Sequence, residues 1–225
     1  MTGRENRQQR WSRYAERLEQ AYGLVLLLVV LTYVLASLTR FSGVAAIALA
    51  AIGCSTATVA LGSSGVRPPR VRLAAGVAVL ATVSAAIGAL AGDDGFYAAA
   101  GLIQMLLLIV ATFAVLRSVL SEPSVNFRTI LGAISVYMIF GLLFTSLYMA
   151  TDRLQAAPFF EQGGAGTGDF VFFSFTTLTT TGYGNLVPRG QPGMMFAGFE
   201  MLLGQIFLVT LIAGLVSLWR PQRRE

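Results

Sequence analysis

Charge-free stretches divide this chain more sharply than any single motif does. Residues 20–39, 41–66, 73–92, 95–116 and 129–151 contain no charged side chain. A sixth apolar stretch, from about 194 to 219, is interrupted by Glu200 alone. A helix needs about 20 such residues to cross the ~30 Å apolar layer of a bilayer, and each stretch supplies them. Residues 170–188 differ in kind, being rich in Thr, Gly and Phe and ending at Pro188. That pattern predicts a short helix, about Asp169 to Thr179, followed by a loop that re-enters the membrane without crossing it. Irregular backbone at membrane depth survives only where protein buries it or water lines it. The expected fold class is an all-α membrane protein with six transmembrane helices plus one re-entrant helix and loop.

Charge then orients the spans. Apolar residues make up 55% of the chain, charged residues 12%, and the mean hydropathy is +0.69, values of a membrane protein. All sixteen basic residues are arginine. With both termini inside, the inner segments hold Arg4, Arg7, Arg10, Arg13, Arg17, Arg67, Arg70, Arg72, Arg117, Arg128, Arg220, Arg223 and Arg224, and the outer ones Arg40, Arg153 and Arg189. Thirteen against three is a positive-inside bias, which places both termini in the cytoplasm of a multi-pass protein of the cell membrane. The arginines flank apolar spans, so the pI near 9.9 reflects topology and no nucleic-acid partner is expected. Cys54 is the single cysteine and histidine is absent, so neither an intrachain disulfide nor a transition-metal site is expected.

Composition and breaks suggest five segments. Residues 1–20 are too charged for a signal peptide. Trp11, Tyr14, Ala15, Leu18 and Tyr22 recur there at helical spacing, which fits a cytoplasmic amphipathic helix, with a disordered basic tail as the alternative. Residues 21–117 hold four spans. A linker, 118–128, carries the helix-breaking Ser121-Glu122-Pro123-Ser124. Residues 129–219 contain the last two crossings and the re-entrant segment, and 220–225 form a short cytoplasmic tail with no room for a ligand-sensing domain.

The re-entrant segment carries the run Thr179-Thr180-Thr181-Gly182-Tyr183-Gly184-Asn185. A dehydrated cation must be held by oxygens that replace its water. Two glycines flanking one aromatic let the backbone alternate between left- and right-handed conformations, so that successive carbonyls face one axis. Preceded by Phe170-Val171-Phe172-Phe173-Ser174-Phe175-Thr176-Thr177-Leu178 and followed by Pro188 and an apolar span, the segment resembles a potassium selectivity filter. Residues 128–219 are similar to the pore module of potassium channels, and the whole layout is similar to a six-helix prokaryotic channel of the voltage-gated superfamily.

The resemblance implies potassium-coordinating oxygens on Thr180, Thr181, Gly182 and Tyr183, with Gly184 as the second flexible position. It implies a homotetramer in the lipid bilayer, because one chain holds one filter segment. No cofactor beyond K⁺ in the filter and no soluble partner is implied. Asn185 stands where an aspartate is common, and Phe172 and Phe173 stand where many relatives carry tryptophans that brace the filter by hydrogen bonds. Asn185, Thr176, Thr177 and Glu200 are the candidate filter supports. Glu200 is an acid at membrane depth, a costly placement. Thr177, Thr176 or Tyr137 is the expected donor to it, with a protonated, neutral acid and a direct ion-attracting charge as the alternatives. Gly204 lies near the position of a hinge glycine in relatives, with close helix packing as the alternative. Helical counting puts Gln205, Leu208, Ile212 and Val216 along the conduction path, and Gly198 and Gly214 at packing positions. The segment 152–169 reads as a flexible outer turret. The span 95–116 is uncharged, so the first four helices read as a sensor-like domain without gating arginines.

No paired carboxylates, nucleophile–base set or cofactor motif points to an enzyme. The competing functions are a nonselective cation channel and an ion-transporter subunit.

Overall fold

The computed structural model describes residues 22–37, 43–64, 66–121 and 127–218. The amphipathic segment 1–20, most of the linker's break and the tail 220–225 lie outside the described residues. Among the described residues seven helices follow in order: α1 (Tyr22–Ser37), α2 (Gly43–Ser63), α3 (Pro68–Ala91), α4 (Asp94–Leu120), α5 (Phe127–Leu154), α6 (Thr167–Leu178) and α7 (Gln191–Leu218). Among the described residues, four of them (α3, α4, α5 and α7) are long and apolar enough to cross a membrane, beside the shorter apolar helices Tyr22–Ser37 and Ile47–Ser63. The protein is a multi-pass, all-helical membrane protein.

The helix ends follow local chemistry. Pro68 and Pro69 occupy the first turn of α3, where their missing N–H groups have no intrahelical partner to lose. α3 stops at Gly92 (φ 66°), whose N–H returns to the Gly88 carbonyl at 2.9 Å. Asp93 caps α4 by accepting from Gly95 N at 2.7 Å. α4 runs on to Leu120, inside the stretch expected to be linker. Ser121 closes it through the Arg117 carbonyl, at 3.1 Å from N and 2.7 Å from Oγ. Hydroxyls within the apolar helices fold back on the carbonyl one turn earlier, as Thr56, Thr112, Ser135 and Ser146 do at 2.8–3.0 Å. Among the described residues, no buried side-chain nitrogen or oxygen lacks a partner, as an apolar solvent demands.

α2, α3 and α4 pack on one another, α4 packs along α5 of the same chain, and α6 sits between α5 and α7. α1 bridges the two halves. Tyr22 Oη donates to Ser118 Oγ of α4 at 2.7 Å, while Tyr33 meets the Phe175 ring of α6 edge-on at 4.7 Å. Arg153, at the end of α5, lies over the Tyr97 ring at the start of α4, 5.1 Å from its centre. Tyr22, Ser118 and the start of α5 gather at one end, and Tyr97, Arg153 and the start of α6 at the other.

Candidate functional site

α6 begins with reciprocal bonds. Asp169 Oδ2 accepts from Gly166 N at 2.7 Å and the Gly166 carbonyl accepts from Asp169 N at 3.0 Å. A carboxylate at this end also suits the partial positive charge of a helix N-terminus. At the other end the unpaired carbonyls of the last turn find donors in the loop that follows. Phe175 O accepts from Thr179 N (3.1 Å) and Oγ1 (2.7 Å), and Thr177 O from Thr180 N (2.9 Å). Thr176 O accepts from both Thr181 N (2.8 Å) and Gly182 N (3.1 Å). Thr176 and Thr177 hold the loop through these carbonyls. The helix end and the loop are one hydrogen-bonded unit.

Along that loop the backbone alternates in hand. Thr180 (φ 55°), Gly182 (φ 52°) and Gly184 (φ 75°) are left-handed, whereas Thr181 and Tyr183 between them are not. Alternation turns successive peptide planes the same way, the arrangement that aims a column of carbonyls at one axis. The two glycines adopt it at no steric cost. Thr180 is β-branched and strained there. Two hydrogen bonds offset the strain: its Oγ1 donates to Thr179 O at 2.7 Å and accepts from Gln205 Nε2 at 2.8 Å. The Oγ1 atoms of Thr179 and Thr181 are also within 2.8 Å of each other. Residues 179–185, Asn185 among them, are all exposed in the single chain, and Tyr183 is 71% exposed.

Phe172 and Phe173 both make ring contacts. The Phe172 ring lies nearly parallel to that of Tyr183, 5.7 Å away and inclined by 19°. Phe173 joins Tyr148, Phe159, Phe160 and Phe170 in a buried aromatic cluster with centroids about 5–6 Å apart. This cluster corrects the expectation of a free outer turret over 152–169. Phe160 is fully buried, and Asp152 Oδ1 accepts from Phe159 N at 2.9 Å. The segment also pairs with residues 187–189, beyond the alternating loop, through Glu161 N to Val187 O (2.9 Å), Arg189 N to Phe159 O (2.8 Å) and Val187 N to Gln162 Oε1 (3.1 Å). Two adjacent large aromatics outweigh the glycines around them, because together they bury several hundred Å².

Glu200 sits on α7 with 0% exposure. Its partners are not Thr176, Thr177 or Tyr137. Tyr148 Oη of α5 donates to Oε2 at 2.6 Å, and Oε1 lies 2.5 Å from Ser174 Oγ of α6. Tyr137 instead reaches the Leu178 carbonyl at 3.2 Å. Thr177 turns its carbonyl to Thr180, and the Thr176 hydroxyl bonds the Phe173 carbonyl at 3.0 Å. A buried acid demands hydroxyl donors on the facing helices. Ser174 and Tyr148 were legible as hydroxyls, but the helix rotation that selects them was not.

Gly204 lies about midway along α7, against the end of α6. A Cβ there would run into the Leu178 carbonyl oxygen and would come within 3.0 Å of Leu178 Cδ1. Close packing is thus the geometry at Gly204. A Cβ built at Gly198 or Gly214 meets nothing within 4 Å in this chain. Gln205 is exposed beside Thr180, Ile212 is exposed, and Leu208 is half-buried; the side chain of Val216 lies outside the described residues. The exposed stripe of α7 includes Met201, Leu202, Ile206 and Val209 as well, broader than the row counted from Gly204.

Residues 133–220 match the family model described as "Ion channel". No curated protein and no solved structure matches the chain. The matched stretch takes in most of α5, all of α6, the loop of alternating hand and α7, so over residues 133–220 the chain carries an ion-channel domain.

Proposed function

We propose that four copies of this chain surround one potassium-selective pore, with six crossings per copy and both termini cytoplasmic. The alternating backbone of Thr180 to Gly184 carries this reading. Its polar groups start beside the midpoint of α7 and are exposed in the single chain. Bare backbone at that depth needs a water-filled path or neighbouring protein, and one chain cannot enclose it. In the ring, the carbonyls of Thr180, Thr181, Gly182 and Tyr183 coordinate K⁺ and the Thr180 hydroxyl, steadied by Gln205, faces the inner cavity. The exposed stripe of α7 lines the path below. Thr176, Thr177, Asn185 and Glu200 support the filter. The arginines near the start of α3 and the end of α4 lie on the cytoplasmic side, and Arg153 and Arg189 on the outer side.

In liposomes loaded with K⁺ and containing the purified protein, K⁺ efflux is expected to follow the imposed gradient with no second substrate. Uptake that requires a co-substrate would instead indicate a transporter, and efflux of Na⁺ at the K⁺ rate a nonselective pore.

The same reading makes the first four helices a packing collar. Moving one charge through the field supplies only about 2.3 kcal/mol per 100 mV. Steep gating therefore needs several charges per subunit, and α4 carries a single basic residue, Arg117, in its last turn. Open probability in symmetric K⁺ is expected to change shallowly with voltage. A sigmoid requiring several gating charges per channel would contradict this assignment.

A further inference from the structure

We propose that Glu200 is a neutral carboxylic acid whose proton completes a relay, from Glu200 to Ser174 to the Gly141 carbonyl, that fastens the pore helix to α7 and α5. Counting protons carries the argument. Ser174 Oγ is 2.5 Å from Glu200 Oε1 and 2.7 Å from Gly141 O. Two contacts of this length need two hydrogens between three oxygens. The Ser174 hydroxyl supplies one, and a backbone carbonyl supplies none. If Glu200 were ionised, one contact would set two acceptors face to face inside the membrane. With the proton on Oε1, Glu200 donates to Ser174, Ser174 donates to Gly141, and Oε2 accepts from Tyr148 at 2.6 Å. Every atom is then used in its proper sense.

Burial agrees independently. Glu200 is fully enclosed, and its hydrogen-bonding partners are the two hydroxyls, with no cation among them. A buried charge without a counter-ion is far costlier than a buried neutral acid. The relay meets three elements at one point: α7 through Glu200, α6 through Ser174, and α5 through Tyr148 and Gly141. Ser174 stands five residues before Thr179, where the filter loop begins. Glu200 is thus a positioning residue, acting through Ser174 on the helix that aims the filter.

The relay is tested by infrared difference spectroscopy of the protein in lipid bilayers at neutral pH, comparing wild type with Glu200→Gln and Ser174→Ala. The expected result is a protonated-carboxyl C=O band that disappears in Glu200→Gln. In Ser174→Ala the band persists but moves to higher frequency, because the acid has lost the acceptor for its proton. Loss of a carboxylate band in Glu200→Gln, or an unshifted acid band in Ser174→Ala, overturns the proposal. A second arm rests on the channel reading above. The Gln amide can both donate to Ser174 and accept from Tyr148, so Glu200→Gln is expected to keep wild-type K⁺ flux. Glu200→Leu is expected to lower it about tenfold, the scale of one lost buried hydrogen bond. Flux in Glu200→Gln as low as in Glu200→Leu would overturn the neutral-acid assignment. The infrared arm needs no conduction, so a protein that shows the acid band and passes no K⁺ fails as a channel while keeping the relay.

Discussion

Gly182→Val is expected to abolish K⁺ current while the protein still inserts and assembles. Gly182 holds φ 52° with nothing within 4 Å of a built Cβ in its own chain, so the effect comes from backbone conformation and not from a local clash. A β-branched residue there stores about 1–3 kcal/mol of strain, or about 4–12 kcal/mol over a ring of four. At 1.4 kcal/mol per tenfold, the conducting arrangement becomes about a thousandfold rarer or worse. Thr180 shows what tolerance requires. It is β-branched at φ 55°, and its hydroxyl is held by Thr179 O and Gln205 Nε2. Valine has no hydroxyl to recover the cost. Gly182→Ala should fall between the two. Single-channel recording from reconstituted protein, with gel filtration as the control for assembly, separates these outcomes. Wild-type currents in Gly182→Val would remove the alternating backbone from the account.

Gly204→Val is expected to lower the melting temperature of the purified assembly and to reduce its yield. The added side chain would collide with the Leu178 carbonyl, which Tyr137 Oη already fixes at 3.2 Å. Overpacking of this kind costs about 1–3 kcal/mol, and here it displaces the end of α6 that leads into the alternating loop. Packing and hinge roles diverge for Gly204→Ala. If packing dominates, even the single methyl lowers thermal stability together with current. If Gly204 served only as a hinge, Gly204→Ala would melt at the wild-type temperature and fail only to open. Thermal unfolding followed by tryptophan fluorescence, alongside K⁺ flux, distinguishes the two.

Four of the six expected spans and the alternating loop were legible in the sequence because each rests on a local rule: length without charge for the helices, and glycine spacing for the loop. Helix ends were less so, since α4 keeps its register past Arg117 until Ser121 closes it. Thr180 gave no sign of left-handed backbone, because its strain is relieved by Gln205, which arrives from another helix. Glu200 stood out as a buried acid, but its partners depend on how α5, α6 and α7 are rotated about their axes. Sequence spacing does not determine that rotation. The segment 152–169 was only partly legible because its glycines signal freedom, while Phe159 and Phe160 beside them are buried and tie it to residues 187–189. The seating of α1 against α6, through Tyr33 and Phe175, had no local signature at all.

A K⁺-selective pore built on Thr180 to Gly184 sets the reversal potential of the reconstituted wild-type protein with K⁺ on one side and an equal concentration of Na⁺ on the other. A large reversal potential that tracks the K⁺ gradient is expected as K⁺ is varied. A reversal potential at zero under these conditions would contradict it.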